Sequence, residues 1–178
     1  MIVETILICL IGTLLHFTYE WSHHNKIVRV FSAVNESTWE HIKIALSGVF
    51  FCTLGDIFFW SSNPNYIVGK FICLLSIIII IPILFYLYTS FTEKSYLPID
   101  VIIFYISIII GQVLLNTILN MNTLPNIYTY ISILGIILII ILYSILSIKP
   151  LHNFIFKDPV TNKYGIEGHP CHHHHEHK

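Results

Sequence analysis

Residues 67–88 read Ile-Val-Gly-Lys-Phe-Ile-Cys-Leu-Leu-Ser-Ile-Ile-Ile-Ile-Ile-Pro-Ile-Leu-Phe-Tyr-Leu-Tyr, twenty-two residues with Lys70 as their single charge. About 20 mostly apolar residues are needed for a helix to cross some 30 Å of hydrocarbon. This run meets that length, and Pro82 within it predicts a kink rather than a stop, since a bilayer offers no water to a broken helix. Working outward, four more stretches have the same character: Ile2 to Tyr19, Trp39 to Trp60, Ile99 to Leu119, and Ile127 to Ile148. The expected fold is all-α, an integral membrane bundle of about five transmembrane helices. Residues 1–149 form the membrane domain and 150–178 a tail with a His-rich end. The first stretch does not read as a cleaved signal peptide, because Glu4 stands where a basic region belongs and no small-residue cleavage site follows.

Composition agrees. Only 11% of the 178 residues are charged and 55% are hydrophobic, against about 25% charged in a soluble domain. The chain lacks the charge to wet a full surface, so the lipid bilayer is its expected partner. A net charge of −1 offers no basic face for phosphate backbones and argues against nucleic acid. Cys9, Cys52 and Cys73 lie in apolar runs without a CxxC pair, which suits free thiols. The weight of Ile, Asn, Tyr and Lys suggests an AT-rich, bacterial coding sequence.

Lys26, Arg29 and Lys43 fall in or beside the first loop, Lys94 in the third, and Lys149, Lys157, Lys163 and Lys178 in the tail. The second loop and the fourth contain no Lys or Arg, and only Lys70 departs from the pattern. The positive-inside rule then predicts an external N-terminus and a cytosolic C-terminus in the cell (plasma) membrane.

Polar residues gather on the predicted cytosolic side. His16 and Glu20 are four apart at the end of the first span, one helix face, with Thr13 extending the stripe inward. Across the short loop, Asn35-Glu36-Ser37-Thr38-Trp39-Glu40-His41 opens the second span. His16, Glu20, Glu36, Glu40 and His41 are therefore expected at similar depth. Ionisable groups inside a span are costly and by default mark function. Imidazoles and carboxylates from two helices can hold a divalent metal such as zinc, manganese or iron, or they can relay protons. A structural reading competes. Ser37-x-x-Glu40 is a capping box, Asn35 an alternative cap with Val34 and Trp39 as its staple, Lys43 a partner for Glu40, and Trp39 an interfacial anchor. His23 and His24 read as solvated loop residues.

Asp56 lies fifteen residues beyond His41, roughly 22 Å along a helix, and belongs to the opposite side. There the stripe Gln112, Asn116 and Asn120 reaches a similar depth, which predicts a second polar cluster of Asp56 with Gln112 or Asn116. Such amides also serve simply to bond helices together. In the tail, Asp158-Pro159 marks a turn. His169, His172, His173, His174, His175 and His177 form a His-rich tract, interrupted by Glu176, that can capture metal.

With these motifs in view, the chain resembles an uncharacterised family of small prokaryotic multi-pass membrane proteins. Its members share an N-E-S-x-W-E-H element, matched by residues 35–41, an H-x-x-x-E-like element matched by His16 and Glu20, and a D-P-x-x-x-x-Y-G element matched by Asp158, Pro159, Tyr164 and Gly165. The resemblance implies a fold and a membrane location and no activity. Ser37 and His41 also match the Ser-x-x-x-His pair of membrane hydrolases that include alkaline ceramidases. Asp56 is too far along the same helix, no later span carries His-x-x-x-His, and seven spans are expected there, which sets this chain apart. Three functions are compatible with these residues: binding or transport of a divalent ion or protons, metal-dependent hydrolysis of a lipid or similar amphiphile, and a structural or accessory role.

Overall fold

The computed structural model describes residues 2–60 and 62–169. Five long helices follow one another: α1 (Ile2–Trp21), α2 (Thr38–Trp60), α3 (Tyr66–Thr92), α4 (Leu97–Leu119) and α5 (Asn126–Ile148). A helix is found at each of the five expected positions, longer than expected by one to five residues. α3 runs unbroken through Pro82 and closes on Glu93, whose φ of 58° is the left-handed turn that ends a helix. Pro98 sits in the first turn of α4, where its missing N–H removes nothing a helix would use.

Short connections alternate the helix directions, so one end of the bundle gathers the last turns of α1, α3 and α5 with the first turns of α2 and α4. The tail leaves from this end, here termed the tail end; the opposite one is the far end. α1 packs against α2 and α4, while α3 packs against α2, α4 and α5. Ile8, Leu46, Ile77, Ile81, Ile108 and Leu115 fill the middle, each almost completely buried. Two glycines set how closely α1 approaches its neighbours, Gly48 towards α2 and Gly12 towards α4. A Cβ on Gly48 would stand 2.9 Å from the Ile8 carbonyl oxygen, and one on Gly12 would stand 2.4 Å from the Phe104 ring. Small residues at such crossings let backbones approach where lipid supplies no hydrophobic drive.

Four helices, α1, α3, α4 and α5, are long and apolar enough to cross a membrane. Their outer faces carry rows of exposed aliphatic side chains, for example Ile127, Ile131, Leu134, Leu138, Ile141 and Ile145 on α5. Such a band is too large for a water-facing surface and suits lipid. α2 has the length, 23 residues, but carries Glu40, Lys43 and Asp56. Its position explains how it holds them: residues 38–49 are buried all the way round by the other helices and the tail. Protein rather than lipid surrounds its charges.

The tail is not a passive end. Residues 150–169 fold back across the start of α2. Asp158 accepts hydrogen bonds from the amides of Val160 (3.1 Å) and Thr161 (3.2 Å), tying a loop whose edges meet at a Lys157–Tyr164 bridge. Phe156 stacks on Trp39 with ring centroids 5.0 Å apart. The Trp39 amide, one of the donors that a helix start leaves unpaired, donates to the Ile155 carbonyl at 3.0 Å. Trp39 is thereby buried beneath the tail instead of anchoring at the membrane interface.

Candidate functional site

The turn before α2 decides where the polar side chains point. Asn35 Oδ1 accepts the Ser37 amide at 2.9 Å, and its Nδ2 donates to the Gly165 carbonyl at 2.9 Å. The N-E-S-x-W-E-H and D-P-x-x-x-x-Y-G elements are therefore bonded to one another. Glu40 does not close the expected capping box on Ser37. Its Oε2 reaches one turn further back to the Val34 amide (2.9 Å) and pairs with Lys43. Lys43, fully buried, donates in turn to the Arg29 carbonyl at 2.9 Å.

Glu36 stays clear of that network and faces α1. Its Oε1 stands 3.4 Å from His16 Nε2. The His41 ring lies 6.3 Å from the His16 ring, and its Nδ1 is held 3.1 Å from the Ser37 carbonyl. Burial raises the Glu36 carboxyl, but the hydrogen bond with His16 and the neighbouring charges of His16 and His41 outweigh it, holding the group below the ordinary glutamate value. Of the five expected site residues, His16, Glu36 and His41 come together. Glu40 is turned away because Lys43, one helical turn on, competes for it. Glu20, largely exposed, stands 3.8 Å from His169 of the tail. Among the described residues no three His, Cys, Asp or Glu side chains form a group that can hold a metal ion. The expected metal-capturing residues His172, His173, His174, His175 and His177 lie outside the described residues; His169 is buried, its ring beside those of Tyr19 and His24.

His16 stands in the wall between two cavities. One, about 140 Å³, opens between α1 and α4 and is lined by Thr13, Phe17, Ile44, Leu97, Val101 and Phe104 together with His16 and His41, and its walls are almost wholly apolar. Phe17, Leu97 and Val101 at its rim are exposed on the lipid-facing side. The other, about 110 Å³, lies under the tail and mixes the two characters: Glu20, Asn35, Glu36, Asp158 and His169 line it with His16, beside Val34 and Val160. An imidazole paired with a carboxylate thus stands between an apolar cleft and one that carries charged side chains.

The far end is arranged differently from expectation. Asp56 is bonded to Lys70 rather than to Gln112 or Asn116, and Glu4 reaches the same ammonium at 3.1 Å. Gln112 is buried with its Nε2 directed at Cys73 Sγ, and Asn116 is exposed and bonded to Asn120. Glu4 and Lys70 were not expected as partners of Asp56, although a signal was present. Glu4 and Lys70 each lie within the first turns of α1 and α3, and Asp56 four residues before the end of α2. All three are therefore at one depth. A lysine that far inside a span requires a carboxylate.

Fold and site define an all-helical integral membrane bundle with a His–Glu pair at one of its ends. Residues 1–166 match the family of unknown function DUF6512, and the chain belongs to it. No curated protein and no solved structure matches the chain.

Proposed function

We propose that this protein sits in the cell membrane with its tail end in the cytosol and binds an amphiphile at the His16–Glu36 pair. The observation that carries this reading is the position of His16 between the two cavities. A hydrocarbon chain entering between α1 and α4 replaces lipid contacts with Phe17, Leu97, Val101 and Phe104. Its polar group then meets His16, Glu36 and His41. Pockets of this kind take most of their area from apolar walls and their specificity from a few placed polar groups. Glu36 orients the His16 ring, so the pair can exchange a proton with the bound polar group, the first requirement of acid–base chemistry there. The packed middle layer of Ile8, Leu46, Ile77 and Ile108 favours work at one interface over passage through the bundle. Lys70, the one cation at odds with the orientation, is neutralised by Glu4 and Asp56 and so does not weigh against a cytosolic tail end.

A divalent ion is the second reading, favoured by two imidazoles and a carboxylate meeting from α1 and the start of α2. Its ligands would be His16, Glu36 and His41 after side-chain rotation, with the amphiphile or water completing the shell. One experiment separates the two. Protein truncated after His169 is purified in detergent, assayed for retained metal, and titrated with a radiolabelled single-chain amphiphile, beside His16→Ala. Saturable amphiphile binding without metal, reduced at least tenfold in His16→Ala, is the expected result. Stoichiometric metal lost in His16→Ala would install the second reading, and wild-type-like binding in His16→Ala would sink the first.

A further inference from the structure

A third cavity, about 350 Å³, lies at the tail end between the loop after α1, the last turn of α5 and the folded tail. Arg29, Ser147, Lys149 and His152 supply its donors. Two buried polar atoms of these side chains, Arg29 Nε and Ser147 Oγ, have no hydrogen-bond partner. A buried donor left unpaired loses its hydration with nothing in return, and the loss is greater when the group is charged. Two such atoms on side chains that line one cavity mark it as a place where an acceptor, met by a small side-chain rotation, would satisfy both. We infer that this cavity is an anion site for a phosphate group, carried by a lipid headgroup or free in solution.

The local build supports a prepared site. Arg29 sits in a 3-10 turn (Val28–Val30) pinned through its own carbonyls and the next one: Lys43 donates to Arg29 at 2.9 Å, Tyr143 to Val30 at 2.8 Å, and Ser47 to Phe31, just after the turn, at 3.0 Å. The guanidinium is thus presented by a fixed backbone. Its planar fork suits phosphate oxygens, and Lys149 adds a positive charge and His152 a ring nitrogen at a site that a singly charged carboxylate would fill less well. Two acidic residues share the wall. Glu40 is committed to Lys43 and the Val34 amide, and Glu167 lies at the exposed rim. Lys149 offsets the negative end of the α5 dipole. A basic pocket between helix ends, at the depth of lipid headgroups, is where phosphate is most abundant in a membrane.

The test uses the full chain in detergent and in nanodiscs. Binding of inorganic phosphate is followed by calorimetry, and retention of phosphatidic acid against phosphatidylcholine by native mass spectrometry. Arg29→Gln and Ser147→Ala are compared with wild type, and Ser90→Ala, an exposed α3 residue that lines neither this cavity nor the two beside His16, serves as the control. Saturable binding of either phosphate form, weakened at least tenfold by Arg29→Gln and about threefold by Ser147→Ala, supports the site. Binding of phosphatidic acid alone assigns a headgroup, and competition by inorganic phosphate assigns a soluble anion. Should Arg29→Gln fail to fold, Ser147→Ala carries the test, because it removes only a hydroxyl. Neither form binding saturably, or both variants binding like wild type, overturns the inference.

Discussion

Each end of the bundle buries a lysine, and the two are used differently. At the far end Lys70 is clasped by Glu4 of α1 and Asp56 of α2, so one ammonium joins three helices. At the tail end Lys43 takes Glu40 from its own helix and spends its remaining reach on the Arg29 carbonyl. The first arrangement closes on itself. The second organises a loop and frees Glu36 to meet His16 beside two cavities. The difference teaches that a buried charge in this chain is a strut where carboxylates from other helices surround it, and a scaffold for chemistry where backbone takes their place.

The largest effect is expected from breaking the strut. Lys70→Met leaves two buried carboxylates uncompensated and should destabilise the protein by about 3–5 kcal/mol, read as a shifted unfolding midpoint in detergent. Adding Glu4→Gln and Asp56→Asn should restore most of the loss. An unchanged midpoint in the single variant would show that the far end is not held by this triad. Next comes the tail. Phe156→Ala removes the ring stacked on Trp39 and should cost about 3 kcal/mol. It should also open residues 150–169 to protease at concentrations that leave Lys70→Met intact there, because local opening follows local contacts. Equal cleavage in the two variants would merge the ends into one cooperative unit.

A pH experiment sharpens the comparison. The Glu36 carboxyl is held below its ordinary value, so the contribution of its pairing with His16 is complete above the unfolded glutamate pKa of about 4.3. It is lost as pH falls through the lower folded value. Amphiphile binding should therefore have an acid limb below about pH 4.3, and Glu36→Gln should flatten it while weakening binding at neutral pH. A limb that persists in Glu36→Gln would assign the titration to another group. The smallest effect is at Glu20, whose side chain is more than half exposed and only 3.8 Å from His169. Glu20→Gln should leave stability within about 0.5 kcal/mol of wild type by thermal unfolding.

Much of the fold was legible because lipid imposes a simple rule: runs such as Ile77-Ile78-Ile79-Ile80-Ile81 have no other place to go. The five helices and their short connections follow from hydropathy and length alone. Polar residues obey local competition as well as depth, and there the reading was partial. His16, Glu36 and His41 meet because helix spacing and a short loop bring them to one level. Glu40 was assigned to the same cluster, but Lys43 three residues on and the Val34 amide take its oxygen. The meeting of Asn35 with Gly165 spans 130 residues of chain, and nothing in either motif alone specifies it. Asp56 was matched to amides on α4 when a charged group at equal depth, Lys70, was the stronger partner. Formal charge is the better guide to pairing inside a bundle.

The central claim is that the cleft between α1 and α4 holds an amphiphile whose polar group meets His16 and Glu36. It is tested most directly by filling the cleft. Val101→Trp places a ring where the chain would lie, at a rim position already exposed to lipid, and leaves His16 and Glu36 in place. Native mass spectrometry of wild type and this variant, each offered a single-chain amphiphile, should find one bound copy on the first and at least tenfold less on the second, with equal unfolding midpoints. Equal occupancy of the two folded proteins would contradict the account.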